Sequence, residues 1–183
     1  LADIRSFLNK SSLPEKVIEQ CTRVYNLLAE AEACVHGESI DTITFHEIGR
    51  LNAIIRTVVS IWGLRALNIE KVYSSALPYN CGMFDSEHGR LPLPSPATLE
   101  VMRLARIPLV PSPATTELVS PSGAALLGEI ASFNRPAMVV EKVGIGAGKE
   151  DLPWPNVLRL MIGEKILDTK ADSFTGGLSR SVT

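Results

Sequence analysis

The stretch SPSGAALLGEIASFNRPAMVVEKVGIG, Ser120 to Gly146, changes character half way, and that change decides the class of fold. It opens with a serine that can cap a helix and a proline whose fixed φ suits a first turn. Ala124 to Phe133 then continue the helix. After Pro136, AMVVEKVGIG reads as a strand, with NVLRLMIGEKI as its partner across the glycine-rich turn GAGKEDLPWP. Helix and strand alternate loosely along the rest of the chain as well. The expectation is an α/β or α+β fold, a mixed sheet packed against two long helices and shorter ones.

The two long helices lie upstream. Ser12-Leu13-Pro14-Glu15 fits a capping box. Val17, Cys21, Val24, Leu28, Ala31 and Val35 then recur at alternating spacings of four and three, an apolar seam that Gly37 can stop in the left-handed conformation. From Arg50 to Leu67, Leu51, Ile54, Ile55, Val58, Ile61 and Trp62 keep helical spacing. Val59, Leu64, Ala66 and Leu67 make that segment apolar nearly all round, which predicts a central helix, with Gly63 allowing close approach of another element. Val72 to Leu77 reads as a strand ending at Pro78, and CGMF starts another. Seven of the 12 prolines fall between Leu91 and Pro121, so only a short helix, Ala97 to Ala105, fits there.

With 183 residues the chain can bury one core or two small lobes without a metal or disulfide. Its 18 Lys and Arg against 20 Asp and Glu give a net charge of -2, which argues against nucleic acid and anionic membranes as partners. No uncharged run approaches the roughly 18 residues a membrane span needs, and LADIRSFLNK is no signal peptide. A soluble cytoplasmic protein is expected. The absence of an initial Met and the ending SRSVT suggest a piece of a longer protein, with residues 1–167 as its folded part and 168–183 as a polar, flexible tail. Cys21 and Cys34, thirteen residues apart on one predicted helix, would sit about 20 Å from each other, too far for a disulfide. Cys81 is left over, and there is no C-x-x-C.

The three histidines all occupy element ends: His36 in ACVHG, His46 in TFHEIG and His88 in EHG. A zinc-protease helix would need a histidine four residues after His46, where Arg50 stands. Histidines from separate segments, with Glu47 or Glu87 as oxygen partners, could assemble an open site for nickel, zinc or copper, or each could be a surface or capping residue. Ser120, Ser122 and Gly123 at a helix start can take phosphate or carboxylate, or simply cap. The turn with Gly144, Gly146 and Gly148 could cradle an anion, but Lys149 is followed by Glu150 where a Walker loop needs Ser or Thr. Glu30, Glu32 and Glu38 read as a solvated helix face, and no Ser-His-Asp order is recognisable.

In order and at about the same separations, AEACVHG, FHEIG, SSALPYNCG, HGRLPLPSPATLE, ELVSPSGAALL and GIGAGKEDLPWPNVLR resemble the N-terminal part of the nickel-insertion proteins of the LarC type, up to about Gly163. The resemblance implies a nickel-inserting lyase, a cyclometallase, that places nickel in a pyridinium-3,5-bisthiocarboxylic acid mononucleotide to build the nickel-pincer nucleotide. It implies CTP with manganese or magnesium as further requirements, a C-terminal CTP-binding domain, and leaves homo-oligomerisation open. By the same resemblance His46, Glu47, His36 and His88 are the metal candidates. Ser120, Ser122, Gly123, Gly146, Gly148 and Lys149 are candidates for the nucleotide-like precursor, with Arg159 a further charge partner. Departures point to an alternative, a divergent non-catalytic relative serving as a metal- or nucleotide-binding module. Thr44 stands where the family motif H-F-H-E begins, Asn52 and Arg56 replace two aspartates, and Ser86 replaces a cysteine or threonine. The exchanges at 52 and 56, one helical turn apart, make that face hostile to a dication. The family's aspartate-rich opening and its C-terminal nucleotide-binding region have no counterpart in these residues, so the chain alone does not make a complete CTP-dependent insertase. A hydrolase acting on a nucleotide is a third reading.

Overall fold

A computed structural model of the chain describes residues 1–45, 49, 51–86, 89–166 and 180–182. The architecture is mixed α/β, with parallel and antiparallel strands. Two compact units are formed, one from Leu1–Leu64 and Ala76–Ile130, the other from Arg65–Ser75 and Ala131–Thr183.

The first unit is helical with two small ribbons. Helix α1 (Ala2–Asn9), which the sequence pattern did not suggest, buries Ile4 and Leu8. Helix α2 (Glu15–His36) is the predicted seam: Val17, Cys21, Val24, Leu28 and Ala31 are buried, and Gly37 ends it at φ 69°. Two details differ from expectation. Pro14 occupies the N-cap with no side-chain cap, so the serine-glutamate box does not form, and Val35, last of the seam, is exposed. Helix α4 (Pro96–Leu104) starts at Ser95, whose Oγ accepts from the Thr98 amide at 3.3 Å. Helix α5 (Pro121–Ile130) starts at Ser120 in the same way, its Oγ accepting from Gly123 N at 3.3 Å. Helices α2, α4 and α5 pack on one another around Tyr25, Leu28, Val101, Met102, Ala124 and Ala125.

Helix α3 (Leu51–Ala66) forms as predicted but is not central. Only Ile54, Thr57 and Ile61 are buried, while Leu51, Ile55, Val59 and Trp62 form an exposed stripe. Nor does Gly63 serve a close approach among the described residues, since a side chain there would meet none of them within 4 Å. Apolar composition all round a helix implies burial only where other elements are available to cover it.

The predicted strand at 72–77 is two elements. Strand β1 (Lys71–Tyr73) belongs to the second unit, and β2 (Leu77–Tyr79) pairs parallel with β5 (Leu109–Pro111) in the first. Pro78 is tolerated because, among the described residues, that sheet has two strands and both are edges. Strands β3 (Met83–Ser86) and β4 (Gly89–Pro92) form an antiparallel ribbon. Asn80, 4% exposed, gives its Nδ2 protons to the carbonyls of Ala114 (3.0 Å) and Thr116 (2.8 Å), fixing the loop that leads into α5.

The predicted extension of α5 to Phe133 does not occur. Residues 131–132 become β6 (Ala131–Ser132), pairing parallel with β1, so a ladder bond overrides helix propensity. The second unit is a five-stranded sheet ordered β6-β1-β9-β8-β7. Its hairpin is the predicted strand pair, β7 (Met138–Ala147) with β8 (Val157–Lys165), and its middle strand is β9 (Arg180–Val182). Of the predicted tail, 168–179 and 183 lie outside the described residues.

Candidate functional site

Within the first unit, a cavity of about 390 Å³ opens where helix ends of opposite polarity meet. Glu32, Val35 and His36 reach it from the C-terminal turn of α2. Ser95, Pro96 and Ala97 come from the start of α4, and Ser120, Pro121 and Ser122 from the start of α5. The C-terminal end of a helix carries partial negative charge and favours cations, and N-terminal ends favour anions. One cavity therefore offers a cation side and an anion side.

The cation side is built on helical spacing. His36 Nε2 lies 3.4 Å from Glu32 Oε2, one turn earlier on the same face, with the two side chains 33% and 17% exposed. Glu32 therefore does not belong to a solvated face with Glu30 and Glu38. It borders the cavity, and only the i, i+4 relation to His36 could have singled it out. Glu117, ahead of α5, also lines the cavity; it opens the motif ELVSPSGAALL but was not among the candidate site residues. Arg56 of α3 reaches the same space, whereas Asn52 is not among the lining residues.

The anion side holds hydroxyls. Ser120 and Ser122 Oγ are 3.3 Å apart. Ser95 Oγ and Thr98 Oγ1 are 2.8 Å apart and buried, which anchors the α4 start. Ser120 Oγ also caps α5 through Gly123 N, so capping and lining fall to the same residue.

The other candidates stand elsewhere. His46, Glu47, Glu87 and His88 lie outside the described residues. Among the described residues no group of three or more His, Cys, Asp or Glu could hold a metal ion. Gly146 lies within β7 rather than in a turn, and Gly148 donates its amide to the Asn156 carbonyl at 2.7 Å, closing the hairpin. Those two, with Lys149 and Arg159, belong to the second unit. On α2, the exposed Cys34 thiol is held above its ordinary pKa, chiefly by a hydrogen bond to Glu100, a carboxylate that Arg103 holds below its own. That keeps Cys34 protonated and a poor nucleophile.

A family model described as nickel insertion protein matches residues 1–178. Two relatives that carry the name "Putative nickel insertion protein" come from Thermomicrobium roseum and Roseiflexus castenholzii. The first is 47% identical over 89% of this chain and 40% of its own length, the second 44% identical over 90% and 42%. A third, from Desulfitobacterium hafniense, is named pyridinium-3,5-bisthiocarboxylic acid mononucleotide nickel insertion protein and is 40% identical over 90% of this chain and 41% of its own length. The chain thus spans about two fifths of the length of these curated relatives. No solved structure matches it.

Proposed function

We infer, because the chain belongs to the nickel insertion protein family, that it takes part in placing nickel into a pyridinium bisthiocarboxylate mononucleotide during assembly of a nickel-pincer cofactor. Nickel is here a substrate, and the cavity is where it meets the nucleotide. The single observation that carries this reading is that His36 and the Ser120-Ser122 helix start line one cavity. His36 and Glu32 supply one nitrogen and one oxygen donor, a borderline set suited to an ion that must be handed on. His46, Glu47 and His88 complete the ligand set in this reading. The Ser120, Ser122 and Gly123 start takes the phosphate, with Gly146, Gly148 and Lys149 retained as a second candidate anion site.

The proposal extends to residues 1–167 as the nickel-insertion part of a longer cytoplasmic protein whose C-terminal region uses CTP with manganese or magnesium. Among the described residues no helix is long and apolar enough to cross a membrane. Calorimetry tests the core of it. Nickel binding that His36→Ala weakens at least about tenfold, with inorganic phosphate binding that Ser122→Ala weakens independently, is the expected pair. A chain that binds neither would remove the reading.

Arg56 favours a second reading, the non-catalytic relative, because this cationic residue lines the space a dication would enter. Thr44→His with Asn52→Asp and Arg56→Asp then creates nickel affinity that the unaltered chain lacks. Completed nickel insertion by the unaltered chain would end this alternative.

A further inference from the structure

The pairing of β3 with β4 sets Phe84 directly opposite Leu91 and Ser86 opposite Gly89. Side chains alternate across a strand and directly opposed residues share a face, so Phe84, Ser86 and Leu91 project from one side of the ribbon. All three are half-buried and line the cavity of about 390 Å³, whereas Met83, Asp85 and Arg90, on the other side, are exposed. The Ser86 hydroxyl donates to the Gly89 carbonyl at 2.8 Å, within the ribbon itself. Phe84 and Leu91 thus give the cavity an apolar wall beside its helix ends.

A phosphate on the Ser120 start fills one corner of a space large enough for a whole small ligand. The rest of a mononucleotide, sugar and ring, must lie against the remaining lining. There the described residues carry two carboxylates, Glu32 and Glu117, against one guanidinium, Arg56. That balance favours a ring of positive charge, and a flat cation is attracted to the face of an aromatic side chain. We propose that Phe84, backed by Leu91, holds the pyridinium ring of the mononucleotide against its own ring face. The inference rests on the reading of this cavity as the place where nickel meets the nucleotide, and it names the residue that orients the ring. A phosphate fixed at one point leaves a flexible ligand free to swing. A ring fixed on one face as well holds its thiocarboxylates in place for the metal.

Calorimetry of the 183-residue chain tests this with three probes: nicotinamide mononucleotide, whose ring is a pyridinium, its reduced dihydropyridine form, whose ring is neutral, and inorganic phosphate. The oxidised mononucleotide should bind about fivefold or more tighter than the reduced one, and its ring protons should move upfield in the NMR spectrum on binding. Phe84→Leu keeps an apolar wall without an aromatic face. It should abolish the preference and the upfield shift while leaving phosphate binding unchanged, and Phe84→Tyr should retain both. Circular dichroism confirms that each variant is folded. With phosphate still bound, equal affinity for the two mononucleotides, no upfield shift, or a preference that survives Phe84→Leu would each overturn the role of Phe84 and leave the reading of the cavity standing. An unaltered chain that binds no phosphate would overturn both.

Discussion

Two helical glycines in the same structural unit should respond to the same substitution with opposite sign. Gly63 lies inside α3, and a Cβ there would meet none of the described residues within 4 Å. Gly63→Ala therefore yields the full propensity difference, a stabilisation of about 1 kcal/mol. Gly128 lies inside α5, where a Cβ would stand 2.7 Å from the Cβ of Ala105 and 3.5 Å from Ile107 Cδ1 and Leu27 Cδ2. Ala105 Cβ is fixed to the backbone at the end of α4 and cannot swing away. Overpacking of this kind costs about 1–3 kcal/mol. Set against the same propensity gain of about 1 kcal/mol, the net is a destabilisation of roughly 0–2 kcal/mol. The two variants should then differ by about 1–3 kcal/mol. Urea denaturation followed by circular dichroism measures it, with an unchanged slope needed to read midpoints as stability. Because Gly128 sets how closely α5 lies on α4, Gly128→Ala should also weaken phosphate binding at the Ser120 start, and Gly63→Ala should not. Equal stabilisation by both would show that the contact of α5 with α4 is looser than the structure has it.

Burial raises the Cys21 thiol from 9.0 to about 11 and the Tyr25 hydroxyl from 10.0 to about 12. Both keep their protons longer folded than unfolded, so stability is intact below pH 9 and falls as pH rises toward 12, by of order 2 kcal/mol per group. Melting temperatures from pH 8 to 11 check this, and Cys21→Val should flatten the lower part of the fall. Asn80→Asp replaces a buried double donor with an acceptor facing the carbonyls of Ala114 and Thr116. It should cost about 2–4 kcal/mol, measured by denaturant midpoint, whereas an unchanged midpoint would mean the loop before α5 is held by something else. Ser95→Ala removes the α4 cap and leaves the buried Thr98 hydroxyl without its 2.8 Å partner, for about 1–2 kcal/mol. Glu32→Gln should lower nickel affinity while leaving phosphate binding unchanged, which separate titrations would resolve.

Local signals carried the reading of α2, α4, the start of α5 and the β7–β8 hairpin, because each is marked by its own residues. Val17 to Ala31 repeat at helical spacing, Ser and Pro stand at the helix starts, and two β-rich runs flank a glycine turn. The errors came where a partner far along the chain decides. Residues 131–132 leave the helix because β1 is available to pair, and α3 exposes its apolar stripe because no described element covers it. The site divided the same way. Ser120, Ser122 and His36 were visible as residue types at element ends, while Glu32 and Glu117 entered only when their elements were packed around the cavity.

Sequence alone settled what is written in neighbouring residues and in the order of motifs: which segments can be helix or strand, and the kinship with nickel insertion proteins. Folding in three dimensions decided which of those residues meet. Helical and strand periodicities specify a direction for each side chain but not the neighbour it finds there, since that depends on long-range packing. Only the assembled helices set the negative end of α2 and the positive ends of α4 and α5 around one space, and so brought a histidine and two serines into the lining of a single cavity.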